Sequence, residues 1–339
     1  EIDKAILHTE LAIELDSKLK NAYLNLATIY NQKGDYKKSL ILAKKEISIS
    51  PDSDLSYQLI SELIRKAGVL NLSDKDSRKV LKNILDRKDI SHRELLGSLN
   101  NIISNEILEK LSVFDSDLND NKEFHLITKD KEFVKALSLL IFASPVWEKF
   151  LRNIRKLLLL NYSESRKINK NIINFTIALG SQCFLNEYAY YISGEEKYKL
   201  EELKKSIDNN YQDYKLAIIS CYQSLYSINN EFINLNNYKS NNKDLNELLN
   251  IQFREIILEG TISKEIPKLG TISDSISKEV KKQYELNPYP RWRYNSFSRE
   301  NKLNFLSVIN SEIYPNIIKS NSDQLKDKKT NILIAGCGT

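Results

Sequence analysis

Residues that commonly build metal centres and disulfides are scarce in this chain of 339 residues. It has three cysteines and three histidines, and methionine is absent. Cys183, Cys221 and Cys337 are far apart and have apolar neighbours, so neither a disulfide framework nor a zinc-binding spacing can be built from them. The histidines, which have no ligand pattern beside them and are interpreted as surface or packing residues, are His8, His92 and His125. The sequence predicts no metal site.

A long uninterrupted apolar run is also missing. The stretch ALSLLIFASPVW is about 12 residues long, which is too short to span a bilayer. NIINFTIALGSQCFLNEYAYYI is longer, but its Asn, Gln and Glu residues indicate a buried helix instead. No signal-peptide pattern is visible. These absences favour a protein without a membrane segment in a reduced, cytoplasmic setting.

Charge of one sign is not concentrated anywhere along the chain. The net charge is +5, and lysines alternate with acidic residues through the whole length. This pattern gives a mildly basic solvated surface and no nucleic-acid footprint. Apolar and charged fractions of 41% and 28% are typical of a core-forming chain. The length favours two or three domains.

The clearest helical periodicity lies in residues 20–51. One helix face is formed by Tyr23, Leu26, Ala27 and Tyr30, which recur at three- and four-residue spacing. Gly34 and Asp35 break this helix. A second amphipathic helix is predicted from Tyr36 to Ile49, where Pro51 ends it.

This helix pair resembles the tetratricopeptide repeat, in which two helices approach closely at small residues. Ala27 stands at the expected close approach. Moving back by one repeat of about 34 residues aligns Ala5 with Ser39, so the chain is expected to begin in the second helix of a preceding repeat. Glu46 departs from the residues usual in the repeat. The resemblance implies a concave face that binds a protein or peptide partner and is formed by Asn21, Leu24, Thr28 and Asn31.

The middle of the chain, residues 55–283, is predicted to be helical almost throughout. Four stretches show apolar residues at three- and four-residue spacing: SRKVLKNILD, HRELLGSLNNIISNEILEKL, DKEFVKALSLLIF and VWEKFLRNIRKLLLL. Asn-rich and Asp-rich segments predict a polar loop at 236–246 and a polar linker at 320–330. The one convincing strand runs from Asn331 to Ala335.

From this strand the chain enters Gly336-Cys337-Gly338-Thr339. An apolar strand followed by Gly-x-Gly is typical of the entry to a Rossmann-like fold, because glycine permits a sharp turn and a close approach of ligand to main chain. So short a pattern also fits a flexible turn after a strand. Because Glu1 already lies in a helical pattern and the binding turn stands at the other end, we expect these residues to be part of a longer protein.

The sequence ILIAGCGT resembles the first motif of class I S-adenosylmethionine-dependent methyltransferases. In that family the backbone of this loop contacts the methionine and ribose parts of the cofactor. On this resemblance Gly336 and Gly338 correspond to the glycines of the motif, and Cys337 and Thr339 to its variable positions. These four are the candidate cofactor-binding residues. No catalytic residue is assigned, since any base would lie on later strands.

A second stretch expected to carry chemistry is QYELNPYPRW, residues 283–292. Two prolines flank Tyr289 and hold the backbone extended after a helix that ends near Leu286. Tyr289, Arg291 and Trp292 then form a stiff aromatic and cationic surface that suits a pocket or lid over a planar ligand. Packing between two domains accounts for the same residues equally well.

Taken together, these stretches resemble bacterial multidomain proteins with N-terminal tetratricopeptide repeats, a helical middle and a C-terminal class I methyltransferase domain. LGSQCFLNEYAY, residues 179–190, also resembles this family; it is predicted to be a buried helix with Cys183 and Phe184 inward, or else to offer Asn186 or Glu187 for function. The resemblance implies a mainly α chain in four regions: repeats at 1–54, a helical domain at 55–283, a Pro/aromatic segment with a helix and linker at 284–330, and the start of a Rossmann-like α/β domain at 331–339.

The implied function is methyl transfer from S-adenosylmethionine to an acceptor that the sequence does not identify, with the repeats serving protein interaction. Two alternatives remain open. The chain is a helical scaffold that binds a partner without catalysis, or it is a repeat-fused nicotinamide oxidoreductase. A further glycine directly after Thr339, and an acidic residue at the end of a second strand, would favour the methyltransferase.

Overall fold

In the computed structural model of the chain the mainly α class predicted from the periodicity is confirmed. The described residues are 2–68, 74–90, 92–100, 102–163, 168–207, 212–228, 234–267, 272–286 and 309–310. Within these ranges most residues are helical and no strand occurs. The predicted strand at Asn331–Ala335, the linker at 320–330 and the start of the Rossmann-like domain lie outside them.

The helices form three successive groups. The first contains α1 (Ile2–Leu15), α2 (Ala22–Gln32), α3 (Tyr36–Ile49) and α4 (Asp54–Ala67). The second, here called the body, contains α5 (Lys75–Leu85), α6 (Leu96–Leu99), α7 (Asn105–Ser112), α8 (Lys122–Lys129), α9 (Lys131–Leu139), α10 (Pro145–Tyr162), α11 (Lys170–Leu185), α12 (Gly194–Lys205), α13 (Asp213–Ser220), α14 (Leu225–Ile228) and α15 (Lys243–Leu249). A π-helical turn, Asn250–Arg254, leads into the third group, α16 (Glu255–Glu265) and α17 (Ser275–Leu286). None of the described helices is both long and apolar enough to cross a membrane.

The α2–α3 hairpin has the bounds that the sequence predicts for its second helix. Gly34 turns the chain with a φ of 80°, a left-handed conformation that glycine adopts at little cost. Asp35 then caps α3 by accepting the N–H of Lys38 at 3.0 Å. Ala27 is completely buried, and Ser39 Oγ donates to its carbonyl oxygen at 2.7 Å. The close approach of the two helices expected at Ala27 is therefore confirmed.

Each of the first four helices packs against the next one in the chain. α1 contacts α2, α2 contacts α3, and α3 contacts α4. In addition, α2 reaches α4 directly. Since α2 and α4 are neighbours across the hairpins, they lie side by side and present a common surface.

The centre of the body is α11, which packs against α8, α9, α10, α13 and α15. Every residue from Phe175 to Phe184 is buried. The predicted buried helix, with Cys183 and Phe184 facing inward, is confirmed. Phe133 connects this helix to α10, because its ring centroid lies 6.2 Å from that of Phe175 and 5.7 Å from that of Trp147.

Gly180 allows α11 and α13 to cross closely. A Cβ atom at this position would collide with the Ser220 side chain. Gln252, buried in the π-helical turn, donates from Nε2 to the carbonyl oxygens of Gly180 at 2.9 Å and Ser220 at 3.2 Å. The turn therefore holds the crossing in place and gives the amide of Gln252 partners inside the core.

Two predicted boundaries differ from the structure because of helix caps. Residues 92–111, whose apolar spacing predicts helix, are divided into a 3₁₀ turn (His92–Leu95), α6 and α7, since Ser104 starts a new helix by accepting the N–H of Ile107. The loop predicted at 236–246 ends earlier, because Asn242 Oδ1 accepts N–H groups at the start of α15. Side chains of Ser and Asn at such positions compete with the backbone and begin helices.

Enlarging Ala27 should separate α2 from α3. For Ala27→Leu we expect a loss of about 1–3 kcal/mol in the free energy of unfolding, because the added atoms have no space between the helices. The measurement is urea unfolding followed by circular dichroism. The matched control is Thr28→Leu, at the exposed neighbouring position, which should change the free energy by less than about 0.5 kcal/mol. Equal effects of the two substitutions would show that Ala27 is not at a close contact.

Candidate functional site

The residues predicted to bind the cofactor and to form a pocket or lid are outside the described part of the chain. They are Gly336, Cys337, Gly338 and Thr339 for the cofactor and Tyr289, Arg291 and Trp292 for the pocket or lid. The candidate surfaces that the structure describes therefore belong to the helices. Two are open to a ligand: the common surface of α2 and α4, and a groove in the body.

Of the four residues predicted to bind a partner, two lie near the start of α2. Asn21 precedes this helix with a φ of 66°, in a region that asparagine tolerates better than most residues. Its N–H donates to Oε1 of the buried Glu46 at 3.0 Å, so a carboxylate stands at the start of α2, where it is favourable. Leu24 is 6% exposed and belongs to the core. Leu24 is thus a packing residue and offers no side chain to a partner.

The other two predicted residues face outward along the α2–α4 surface. Thr28 is exposed, and Asn31 donates from Nδ2 to Glu62 Oε1 at 3.4 Å across the two helices. The hydrogen bond from Lys66 is the largest influence on the Glu62 carboxyl and lowers its pKa, which keeps it ionised. We call Asn25, Thr28, Asn31, Glu62 and Lys66 the repeat face. Its amide, hydroxyl and charged groups can pair with the main chain and side chains of a bound polypeptide.

A groove of about 960 Å³ opens between α9, α11 and α15. Its floor is α11, where Asn174 Oδ1 accepts from Asn242 Nδ2 at 2.9 Å and Ser181 is buried. The side formed by α9, the end of α5 and the residues after it carries the lysines Lys82, Lys88, Lys131 and Lys135 together with Asp86 and Glu132. The side formed by α15 carries Lys243, Asp244 and Glu247.

The charges on the two walls of the groove are only weakly paired. Lys135 Nζ lies 4.0 Å from Asp86 Oδ1, and Lys82, Lys88 and Lys131 make no ion pair with any described residue. Small-molecule sites are mostly apolar and enclosed. A groove lined by apolar side chains and by charged side chains of both signs suits a polypeptide segment with side chains of both charges.

A buried ionic network lies on α10 and its neighbours. The side chain of Arg155 is completely buried and donates from Nη2 to Tyr191 O at 2.6 Å and to Glu196 Oε1 at 3.2 Å. Its guanidinium carbon stands 4.4 Å from the centre of the Tyr222 ring, whose hydroxyl donates to Glu196 Oε1 at 2.9 Å. Because the charges are hidden from solvent, this network fastens α10, α12 and α13 together and is not a ligand site.

Burial is the largest influence on the Glu196 carboxyl and acts to raise its pKa. The N–H of Ser193, the charge of Arg155 and the hydroxyls of Ser193 and Tyr222 outweigh it, so the pKa is lowered from its ordinary value. Burial raises the pKa of the Tyr222 phenol well above its ordinary value. The network therefore holds an ionised Glu196 beside a neutral tyrosine.

Sequence reasoning missed both buried carboxylates. Glu46 stood out only as a departure from the repeat, yet it holds the start of α2. For Glu196 a signal existed: Ser193 and Glu196 have the S-x-x-E spacing of a capping box, and both of its hydrogen bonds are present. Nothing in the pattern of α10 distinguishes Arg155 from the solvated lysines and arginines beside it.

No group of metal-ligating side chains occurs among the described residues. His8 is exposed, His125 is half-buried, and His92 is 2% exposed in the core. Burial is the largest influence on His92 and lowers its pKa, and its Nε2 lies 3.0 Å from Ile84 O. Cys183 and Cys221 are buried free thiols, and Cys337 lies outside the described residues.

Glu196→Gln should remove part of the decrease in the free energy of unfolding that acid causes in the wild type. Because the folded pKa of Glu196 is lowered, its contribution is present above its unfolded pKa of about 4.3 and is lost as pH falls through the folded pKa. At pH 7 the variant should lose about 3 kcal/mol, since Arg155 is left without its carboxylate. The difference in the free energy of unfolding between the variant and the wild type should decrease as the pH falls to about 3. The measurement is the free energy of unfolding by urea between these pH values; parallel curves would contradict the assignment.

Comparison with known proteins gives no relative for this chain. No family model matches it, and neither a curated protein nor a solved structure is significantly similar to it.

Proposed function

We propose that this chain binds a polypeptide through the repeat face and that this binding serves methyl transfer from S-adenosylmethionine. The observation that carries the binding function is the direct contact of α2 with α4 across stacked hairpins. It brings Thr28, Asn31 and Glu62 to one surface, although they come from different hairpins. Surfaces of this kind accommodate an extended or helical segment along several helices.

The groove of the body is a second surface that suits a polypeptide. Lysines and carboxylates line both of its sides, and its floor combines Asn174 and Ser181 with Ile177 and Leu185. Arg87 joins the two regions, because it pairs with Asp54 at the start of α4 and with Asp89. A polypeptide that contacts both surfaces would gain affinity from each.

The catalytic part of the proposal rests on sequence. ILIAGCGT and QYELNPYPRW resemble stretches of class I methyltransferases, and Gly336 and Gly338 would lie against the cofactor. S-adenosylmethionine supplies a methyl group that is already activated, so a protein of this class contributes chiefly the position of the acceptor. The alternative is a scaffold that binds the same polypeptide without transferring a methyl group.

The binding half is tested by selecting ligands from a displayed library of random peptides and measuring their affinity by calorimetry. Thr28→Arg should weaken the selected peptides by about tenfold or more, because a long charged side chain covers the repeat face. The matched control is Ile41→Arg on α3, where the native side chain is 67% exposed. It should leave the affinity unchanged. Equal affinities for both variants would show that the selected peptides do not bind at the repeat face.

The transfer half is tested separately, in a chain that includes a complete C-terminal domain. Titration with S-adenosylmethionine should give measurable heat, and Gly338→Val should abolish it, because a side chain would occupy the space of the cofactor. Peptide affinity should be unaffected by this change. If the extended chain binds peptides and not S-adenosylmethionine, the scaffold alternative holds.

A further inference from the structure

The groove of the body runs along one side of the central helix α11. Five residues of α11 at three- and four-residue spacing form this side: Asn171, Asn174, Ala178, Ser181 and Leu185. The first and the last of them are separated by about 21 Å of helix. α11 already packs against α8, α9, α10, α13 and α15. The groove therefore has the length and the direction of a position for one further helix beside α11.

Apolar side chains from three elements are partly accessible in the groove. Val134 and Leu139 of α9, Leu185 of α11 and Ile251 of the π-helical turn line it, and all four are half-buried. Covering the rest of their surface with apolar side chains of a ligand is favourable. The groove therefore suits a ligand with one apolar side.

The main chain of a bound segment finds few hydrogen-bond partners in the groove. The sides are helices, whose own main-chain groups pair within each helix. Polar side chains of the floor are already engaged, since Asn174 Oδ1 accepts from Asn242 and Ser181 Oγ donates to Ile177 O at 3.3 Å. An extended segment would leave N–H and C=O groups unpaired, whereas a helix pairs its own. These contacts favour a helical ligand.

The α9 side of the groove has an excess of positive charge. Its two carboxylates already have partners, because Asp86 lies near Lys135 and Glu132 lies near Arg78. Three lysines of this side have no ion-pair partner among the described residues: Lys82, Lys88 and Lys131. Acidic side chains along the adjoining flank of a ligand would complement them.

The α15 side has the opposite excess. It carries two carboxylates, Asp244 and Glu247, and one lysine, Lys243. The two carboxylates make no ion pair with any described residue. A flank with basic side chains suits this side of the groove.

We propose that the groove binds one amphipathic helix of the partner polypeptide. Its apolar side packs on Val134, Leu139 and Ile251, an acidic flank faces the lysines of the α9 side, and a basic flank faces α15. The inference rests on the proposed function in that the ligand is a polypeptide, and it adds the conformation and side-chain pattern of the segment that the groove takes. It does not depend on methyl transfer.

A synthetic helical peptide of about 15 residues, long enough to span the groove, is the probe. It has leucines at three- and four-residue spacing, glutamates along one edge of this stripe and lysines along the other. Fluorescence anisotropy measures its affinity for the full chain. A peptide of the same composition without the stripe, and the probe with a central proline, should each bind about tenfold more weakly or worse. If either binds as tightly as the probe, the inference is overturned.

Charge reversal in the groove tests the flanks of the helix. Lys131→Glu should weaken binding of the probe by about tenfold, because like charges then face each other. The matched control is Lys129→Glu, which makes the same change at an exposed position outside the groove and should stay within about twofold of wild type. When the glutamates of the probe are replaced by lysines, the Lys131→Glu chain should bind it more tightly than wild type does. Equal effects of the two substitutions on the probe would contradict the proposed orientation and overturn the inference.

Thr28→Arg separates this inference from the proposed function. The substitution changes the repeat face and should leave the affinity of the probe unchanged, since α2 does not line the groove. Weaker binding would place the probe on the repeat face and overturn the inference. If library-selected peptides bind through the repeat face and the probe does not bind the chain, the inference fails and the proposed function stands.

Discussion

The crossing of α11 and α13 at Gly180 and Ser220 is the contact on which the packing of the body depends. No atom larger than hydrogen fits on the α-carbon of Gly180, so the two helix backbones can approach closely. This approach lets α11 be buried from Phe175 to Phe184 and lets helices pack around it. Gln252 then reaches both backbones from the π-helical turn, which couples the start of α16 to the centre of the core.

Polar groups inside this core are placed so that their hydrogen bonds connect elements distant in sequence. Gln252 joins the end of the body to α11 and α13, and Glu196 joins α12 to Arg155 and Tyr222. In the first helices Glu46 does the same for the start of α2. A buried carboxylate or amide that loses its partner costs more than an exposed one. These residues therefore fix which helices are neighbours, and apolar burial supplies most of the stabilisation.

The surfaces that are proposed to bind a polypeptide share one chemistry. The repeat face and the groove both carry charged side chains together with amide or hydroxyl groups. Because such groups remain solvated until a ligand arrives, these surfaces suit a reversible contact.

Much of the fold is contained in local patterns. The spacing of apolar residues determined the helices, Gly34 and Pro51 determined the bounds of α3, and the composition of 175–184 determined that α11 would be buried. These follow from the sequence because helix period, glycine turns and runs of apolar residues act over a few residues. The caps at Ser104 and Asn242 were equally local, but the apolar period was followed past Ser104, and the polar composition of 236–246 was taken as a loop although Asn242 begins α15.

Contacts between distant residues were decided by the tertiary structure alone. Periodicity places Leu24 on a helix but does not say which side the neighbouring helices will cover, so its burial became visible only with α3 and α4 in place. Arg155 and Glu196 are 41 residues apart, and Lys131 and Asp244 face one groove from α9 and α15. No local pattern specifies such pairs, because each depends on how whole helices cross. The sequence by itself determined the helices and their apolar sides, and the packing of those sides decided which polar residues meet.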